Sequence, residues 1–264
     1  MLIEPLKYYE KPVDDNTAYV DVTDEGILRT MLFRKISGAG RERSISHLLP
    51  EETEKIIRLL ERVNEGEVSK LKYKPYPQTK REEISIELGK GPIVKFETIL
   101  EAWMMENIDK DYDVLKDVIG PSKEVEYFGN NVLYGIGGEK SDILITHVDE
   151  NNIRFKATVI ELKKKEITND AIDQIYRYAY WISQLVTANY VLSHDIKELI
   201  LQPVVIGFTL TEKSRKYAYN FLQERKIKIP YYGGKGITVK VQPIKIILYK
   251  VSENKITFEI KKIQ

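Results

Sequence analysis

Cysteine is absent from the 264 residues, which excludes disulfides, thiolate metal sites and a cysteine nucleophile. Histidine is scarce. His47, His147 and His194 stand far apart, so a zinc site or a serine–histidine triad is poorly supplied. No apolar run approaches the roughly 20 residues of a membrane span, and no membrane association is expected. The opening MLIEPLKYYEKP has no basic segment followed by a long apolar stretch, which predicts a cytoplasmic chain without a signal peptide. Excess charge is missing too. The net charge of +1 excludes a uniformly basic nucleic-acid binder and leaves phosphate binding to local patches. There is no internal repeat and no low-complexity tract.

What remains is globular: 42% hydrophobic and 31% charged residues argue against disorder. Abundant Lys and Glu, many Ile and Tyr and no Cys suit a thermophile's protein. Two segments are locally basic. Residues 34–43 set Arg34, Lys35, Arg41 and Arg43 around glycines, and residues 70–81 interleave lysines with Tyr73 and Tyr76. Such stretches hold phosphates and stack bases, or are solvated loops.

Periodicity predicts a strand over 27–36 and a turn at Gly38–Gly40. A helix from Pro50 to about Asn64 follows, with Ile56, Ile57, Leu60 and Val63 inward and Gly66 ending it. A strand is expected over 83–88 and a soft boundary at 89–91. This makes residues 1–90 an N-terminal α+β region and residues 91–264 a second domain. Beyond it the pattern predicts a helix over 95–107, with Phe96, Ile99, Leu100, Trp103 and Met104 as its apolar stripe. Strands follow at 123–128 and 131–136 around a Gly129-Asn130-Asn131 turn. Then come strands 142–147 and 155–163 around a turn at 148–152. A long helix covers 168–190, with Ile172, Ile175, Ala179, Ile182 and Val186 inward. Residues 203–209 read as a strand buried on both faces. A helix at 211–224, a Gly-rich hairpin turn at 233–236 and strands 238–250 and 255–263 close the chain. This order predicts an α/β protein with a mixed central sheet flanked by helices.

One constellation carries chemistry. Side chains alternate along a strand, so Glu161 and Lys163 share a face with Val159. If 142–147 and 155–163 form a hairpin, Asp142 comes beside Glu161 and Lys163. Two carboxylates suit a hard cation such as Mg2+ or Mn2+, which stabilises charge on a phosphoryl oxygen and acidifies water. A lysine on the same face orients or helps deprotonate that water, or neutralises a phosphoryl transition state. The alternative for the same residues is a strand end running out into solvent.

The spacing Gly138-x-x-x-Asp142, then Glu161-Leu162-Lys163, then Gln174-x-x-x-Tyr178 resembles the PD-(D/E)XK nuclease superfamily, in its RecB-like branch. The helix bearing Glu97 and Glu101, and the strand from Pro203, are similar to archaeal NucS-like endonucleases; the likeness spans about residues 95–224. The resemblance implies a restriction-endonuclease-like core that hydrolyses DNA in a Mg2+- or Mn2+-dependent way. It further implies that Asp142, Glu161 and the Leu162 carbonyl hold the metal, with Glu97 joining directly or through water and Glu101 as the alternate acid. Lys163 would be the catalytic lysine. Gln174 would assist at the site, and Tyr178, Arg177, Lys164 and Gly138 would touch substrate. A homodimer, with residues 1–90 binding DNA or the second subunit, is the matching assembly. Ser141 stands where the family has proline, and the hairpin is longer than usual in the archaeal group. Two rival functions share the fold: a nucleic-acid or nucleotide-binding module without cleavage, and a ligand-gated antiviral effector nuclease.

Overall fold

The computed structural model describes residues 7–14, 17–18, 48–68, 86–107, 115–116, 118, 122–133, 140–188, 196, 198–230 and 236–263. The expected strand at 27–36, both basic segments, His47, His194 and Gly138 lie outside them.

Helix α1 (Pro50–Val63) starts on a proline whose missing N–H costs nothing at a first helical position. Its buried stripe is Glu52, Lys55 and Leu59, whereas Ile56, Ile57, Leu60 and Val63 are only half-buried, which corrects the expected face. Part of the reason is that Glu52 turns inward to accept the Leu49 N–H at 3.1 Å. The helix closes one residue before Gly66: Glu65 takes the left-handed φ of 55°, and the Glu65 and Gly66 N–H groups donate to the Arg62 and Glu61 carbonyls at 3.2 and 2.7 Å. Residues 86–88 belong to no strand; Leu88 instead bonds to Asn254 Oδ1 and to the Lys95 N–H. Helix α2 (Glu97–Glu106) buries Leu100, Trp103 and Met104, but Phe96 lies outside its buried stripe as an exposed N-cap.

The strands are β1 (Val125–Leu133), β2 (Lys140–Val148), β3 (Arg154–Leu162), β4 (Glu166–Ile167), β5 (Glu198–Gly207), β6 (Thr209–Leu210), β7 (Arg225–Pro230), β8 (Gly236–Val241), β9 (Lys245–Ser252) and β10 (Lys255–Ile260). Helices α3 (Asn169–Thr187) and α4 (Glu212–Ala218) lie among them. The eight-stranded sheet runs β1-β2-β3-β5-β8-β7, with β9 also on β5 and β10 on β9; β4 and β6 form a separate pair. Strands β3, β5, β8 and β9 pair in parallel, and the hairpins β1–β2, β2–β3, β7–β8 and β9–β10 are antiparallel. The sheet is therefore mixed and the class α/β.

Two strand expectations and one helix expectation need correction. Gly129-Asn130-Asn131 is no turn: β1 runs straight through it, pairing Gly129 with Leu144 and Val132 with Ser141, while Asn131 alone takes a left-handed φ of 52°. The 238–250 stretch is two strands, because Pro243 offers no ladder N–H. Strand β5 accordingly pairs residues 198–201 with β8 and 204–207 with β9, and Pro203 stands at that seam. Helix α4 is shorter than 211–224: past Ala218 its expected tail is a single 3-10 turn at Tyr219–Phe221, and β7 starts just beyond it at Arg225. The Gly-rich stretch before Gly236 does connect an antiparallel pair, Pro230 facing Gly236.

The core is two apolar layers, one on each sheet face. Val159, Leu144 and Val205 pack with α3, while Ile143, Ile160, Leu162 and Ile206 pack with α2. The N-terminal region contributes Leu49 to the first layer and Leu88 to the second. Among the described residues no helix is long and apolar enough to cross a membrane.

Candidate active site

Strand β3 runs from buried Arg154 to buried Glu161, and its register with β2 decides which acids meet. Ile143 faces Ile160 and Leu144 faces Val159. Continuing that register by one residue sets Asp142 opposite Glu161, on the face of Val159. Asp142 Oδ2 accepts the Leu162 N–H at 2.7 Å, which ties the two strand ends together. Strand β3 lies parallel to β5 here, so the acids sit beyond a carboxyl end of parallel strands, where α/β sheets open a crevice.

Glu161 is only 2% exposed. Its Oε1 accepts from Lys163 Nζ at 2.6 Å, and its buried Oε2 has no hydrogen-bond partner among the described residues. Burying a charge without full pairing is costly, and the group responds by holding its proton. Burial and then Asp142 raise the Glu161 pKa, against the pull of Lys163. Burial also raises Asp142, against the Leu162 N–H and Lys163. Lys163 is itself half-buried. Burial lowers its pKa, but Glu161, Glu97 and Asp142 outweigh that, so the net shift is upward and the ammonium keeps its charge.

Helix α2 brings two more acids from across the sheet. Glu97 Oε2 accepts the Lys164 N–H at 2.8 Å, and so grips the chain two residues beyond Leu162. Glu101 instead accepts from the side-chain amides of Asn130 and Asn131, and Lys140 reaches Asn131 Oδ1. Both acids push the Asp142 pKa up. The turn composition of Gly129-Asn130-Asn131 hides the part these asparagines play at the site. The left-handed Asn131 was the available signal, since asparagine tolerates that conformation better than most residues.

Asp142, Glu161, Lys163, Glu97 and Lys164 are therefore assembled, with Glu101 alongside. Leu162 enters through its N–H, while its side chain lies in the α2 layer. Gln174 donates to the Tyr178 hydroxyl one helical turn on; Tyr178 is buried in the α3 layer and Arg177 is exposed. Helix α3 covers the face to which Glu161 points, but among the described residues no hydrogen bond links Gln174 to the acids. Among those residues, too, no three acidic or histidine side chains stand as a ready metal-binding group. Asp142 and Glu97 turn an oxygen each onto backbone N–H, and Glu161 turns one onto Lys163. The donor set nevertheless has the chemistry of a hard-cation site: all-oxygen ligands, one of them buried and unsatisfied. Comparisons with protein-family models, curated proteins and solved structures find no match to this chain.

Proposed function

We propose that this chain is a metal-dependent deoxyribonuclease with a restriction-endonuclease-like core, of the PD-(D/E)XK kind. The observation that carries the reading is the register-matched pair Asp142 and Glu161, with Lys163 bonded to Glu161 and Glu97 bonded to the same strand end. Asp142, Glu161 and the Leu162 carbonyl would hold a Mg2+ or Mn2+ ion, with Glu97 joining directly or through water. The ion would neutralise phosphodiester charge and lower the pKa of water. Lys163 stays protonated, so its part is to orient Glu161 and offset charge on the reacting phosphate, not to act as the base. The acids must lose their protons before the site works, so activity rises with pH. A cytoplasmic homodimer, with residues 1–90 supplying DNA or subunit contacts, completes the reading.

A second reading has one observation in its favour. The Asp142 and Glu97 oxygens already spent on backbone N–H groups suit a fold kept for binding nucleic acid without cutting it. Cleavage assays with Mn2+ on single-stranded, duplex and branched DNA separate the two. Metal-dependent cutting that Glu161→Ala abolishes supports the nuclease; equal rates in the variant and the wild type refute the assignment.

A further inference from the structure

Helix α2 opens on a residue its own geometry does not favour. Phe96 is the N-cap, at φ −136° and ψ 153°, and its side chain makes no capping hydrogen bond. N-caps favour Asn, Asp, Ser and Thr, whose oxygen satisfies a free N–H of the first turn. Burial does not explain the phenylalanine either. The ring is 55% exposed and belongs to neither apolar layer.

Two ammonium groups lie over that ring, Lys95 Nζ at 5.4 Å and Lys164 Nζ at 5.9 Å from its centroid. Both sides of this cluster are fixed to the acid site. Phe96 directly precedes Glu97, and Lys164 directly follows Lys163. The Lys164 main chain is held at both ends, its N–H by Glu97 at 2.8 Å and its carbonyl by the Tyr249 hydroxyl at 2.5 Å. An aromatic face and two cations therefore stand at the rim of the carboxylates.

An exposed ring flanked by cations fits a base with its phosphates: the base stacks on the π-face, and the ammoniums shift toward the backbone. A paired base inside a duplex has both faces covered by its neighbours, whereas an unpaired one has a face to offer. We propose that Lys95, Phe96 and Lys164 form a subsite for an unpaired nucleotide of the DNA strand whose phosphodiester lies at Asp142 and Glu161. The subsite rests on the nuclease reading and narrows its substrate to DNA that is single-stranded or frayed beside the cut.

The test is fluorescence anisotropy with a labelled oligonucleotide, single-stranded and as its duplex, in EDTA so that binding is read without cleavage. Phe96→Asn should weaken single-strand binding about 5- to 150-fold, the range for losing one stacked base. Duplex binding should change less, and Phe96→Trp should retain the single-strand affinity. Phe96→Asn should also raise the melting temperature, because asparagine supplies the missing cap. Single-strand affinity equal to the wild type, equal losses on both DNAs, or a lowered melting temperature would each overturn the subsite. The nuclease reading fails separately: cleavage unaffected by Glu161→Gln sinks that reading and leaves the binding result standing.

Discussion

Strand β3 carries a charged cluster at each end, and the two are built on opposite plans. At its start Arg154 is fully buried, yet every direction of its guanidinium is answered. It donates to Glu126 at 2.7 Å, to both Glu51 oxygens at 3.1 and 3.0 Å, and to the Val186 carbonyl at 2.6 Å. Thr146 adds a bond to Glu126. Burial works against the charge, but Glu51 and Glu126 outweigh it, and the Arg154 pKa is raised. At the other end Glu161 is as deeply buried, and among the described residues it has one lysine for a partner and one oxygen unanswered. The first cluster locks α1, β1, β3 and α3 together. The second holds charge in reserve, as sites that must bind a cation or polarise a substrate do.

Removing a charge from each end should expose the difference most sharply. Arg154→Met strands Glu51 and Glu126, and breaking a buried pair from one side costs about 3–5 kcal/mol. Urea unfolding should show that loss; one below about 1 kcal/mol would mean the two ends are alike. Glu161→Gln should do the reverse. It replaces a buried carboxyl that holds its proton with a neutral amide of the same shape, so the metal-free protein should melt no lower than wild type, while cleavage falls about 100-fold or more. A stability loss as large as that of Arg154→Met would erase the contrast.

The pH dependence of stability is a smaller effect with a definite sign. Burial raises the folded-state pKa of Asp142 to about 6 and of Glu161 to about 7. Between the ordinary carboxylate range near ~4 and those values, the folded state binds more protons than the unfolded one. Stability of the metal-free protein should therefore fall as pH rises through that window and level off above it. Mn2+ binds the deprotonated form, so adding it should offset the fall. Melting curves from pH 5 to 8, with and without MnCl2, read this directly; a metal-free curve that climbs through the window contradicts the assignment. The smallest effect on stability should come from Lys163→Met, because Lys163 is half-buried and pairs only at the strand's edge. There Glu161 loses its counter-charge, so the rising limb of the cleavage pH profile should move to higher pH. An unmoved limb would separate Lys163 from the chemistry.

Much of this was legible from periodicity. The strand-turn-strand around residues 148–152 and the 3.6-residue repeat of α3 came out close to where pattern put them, while β5 begins five residues before the apolar run expected at 203–209 and ends at Gly207. Alternation alone set Glu161 and Lys163 on one face, and hairpin topology alone brought Asp142 to them. The misses share a cause, which is that local chemistry was overruled by pairing. Gly129-Asn130-Asn131 has turn composition, yet β2 offers it a ladder. Phe96 fits the apolar repeat of α2, yet it falls at the cap, where the helix has not yet turned it inward. Pro243 separates two strands that hydropathy merges. Arg154 carries no signal in the sequence, because nothing local announces Glu51, 103 residues away.

By itself, then, the sequence determined the chemistry on offer. Oxygen ligands and a lysine were present without cysteine, and the strand period delivered them to one edge, because side-chain direction follows from backbone geometry. Only the tertiary structure decided how each charge is met. Glu97 and Glu101 stand four residues apart on one helix, yet the first reaches the Lys164 N–H and the second the asparagines of β1. Whether a buried charge is satisfied or left poised depends on partners from distant elements, and those distances exist only once the sheet has closed.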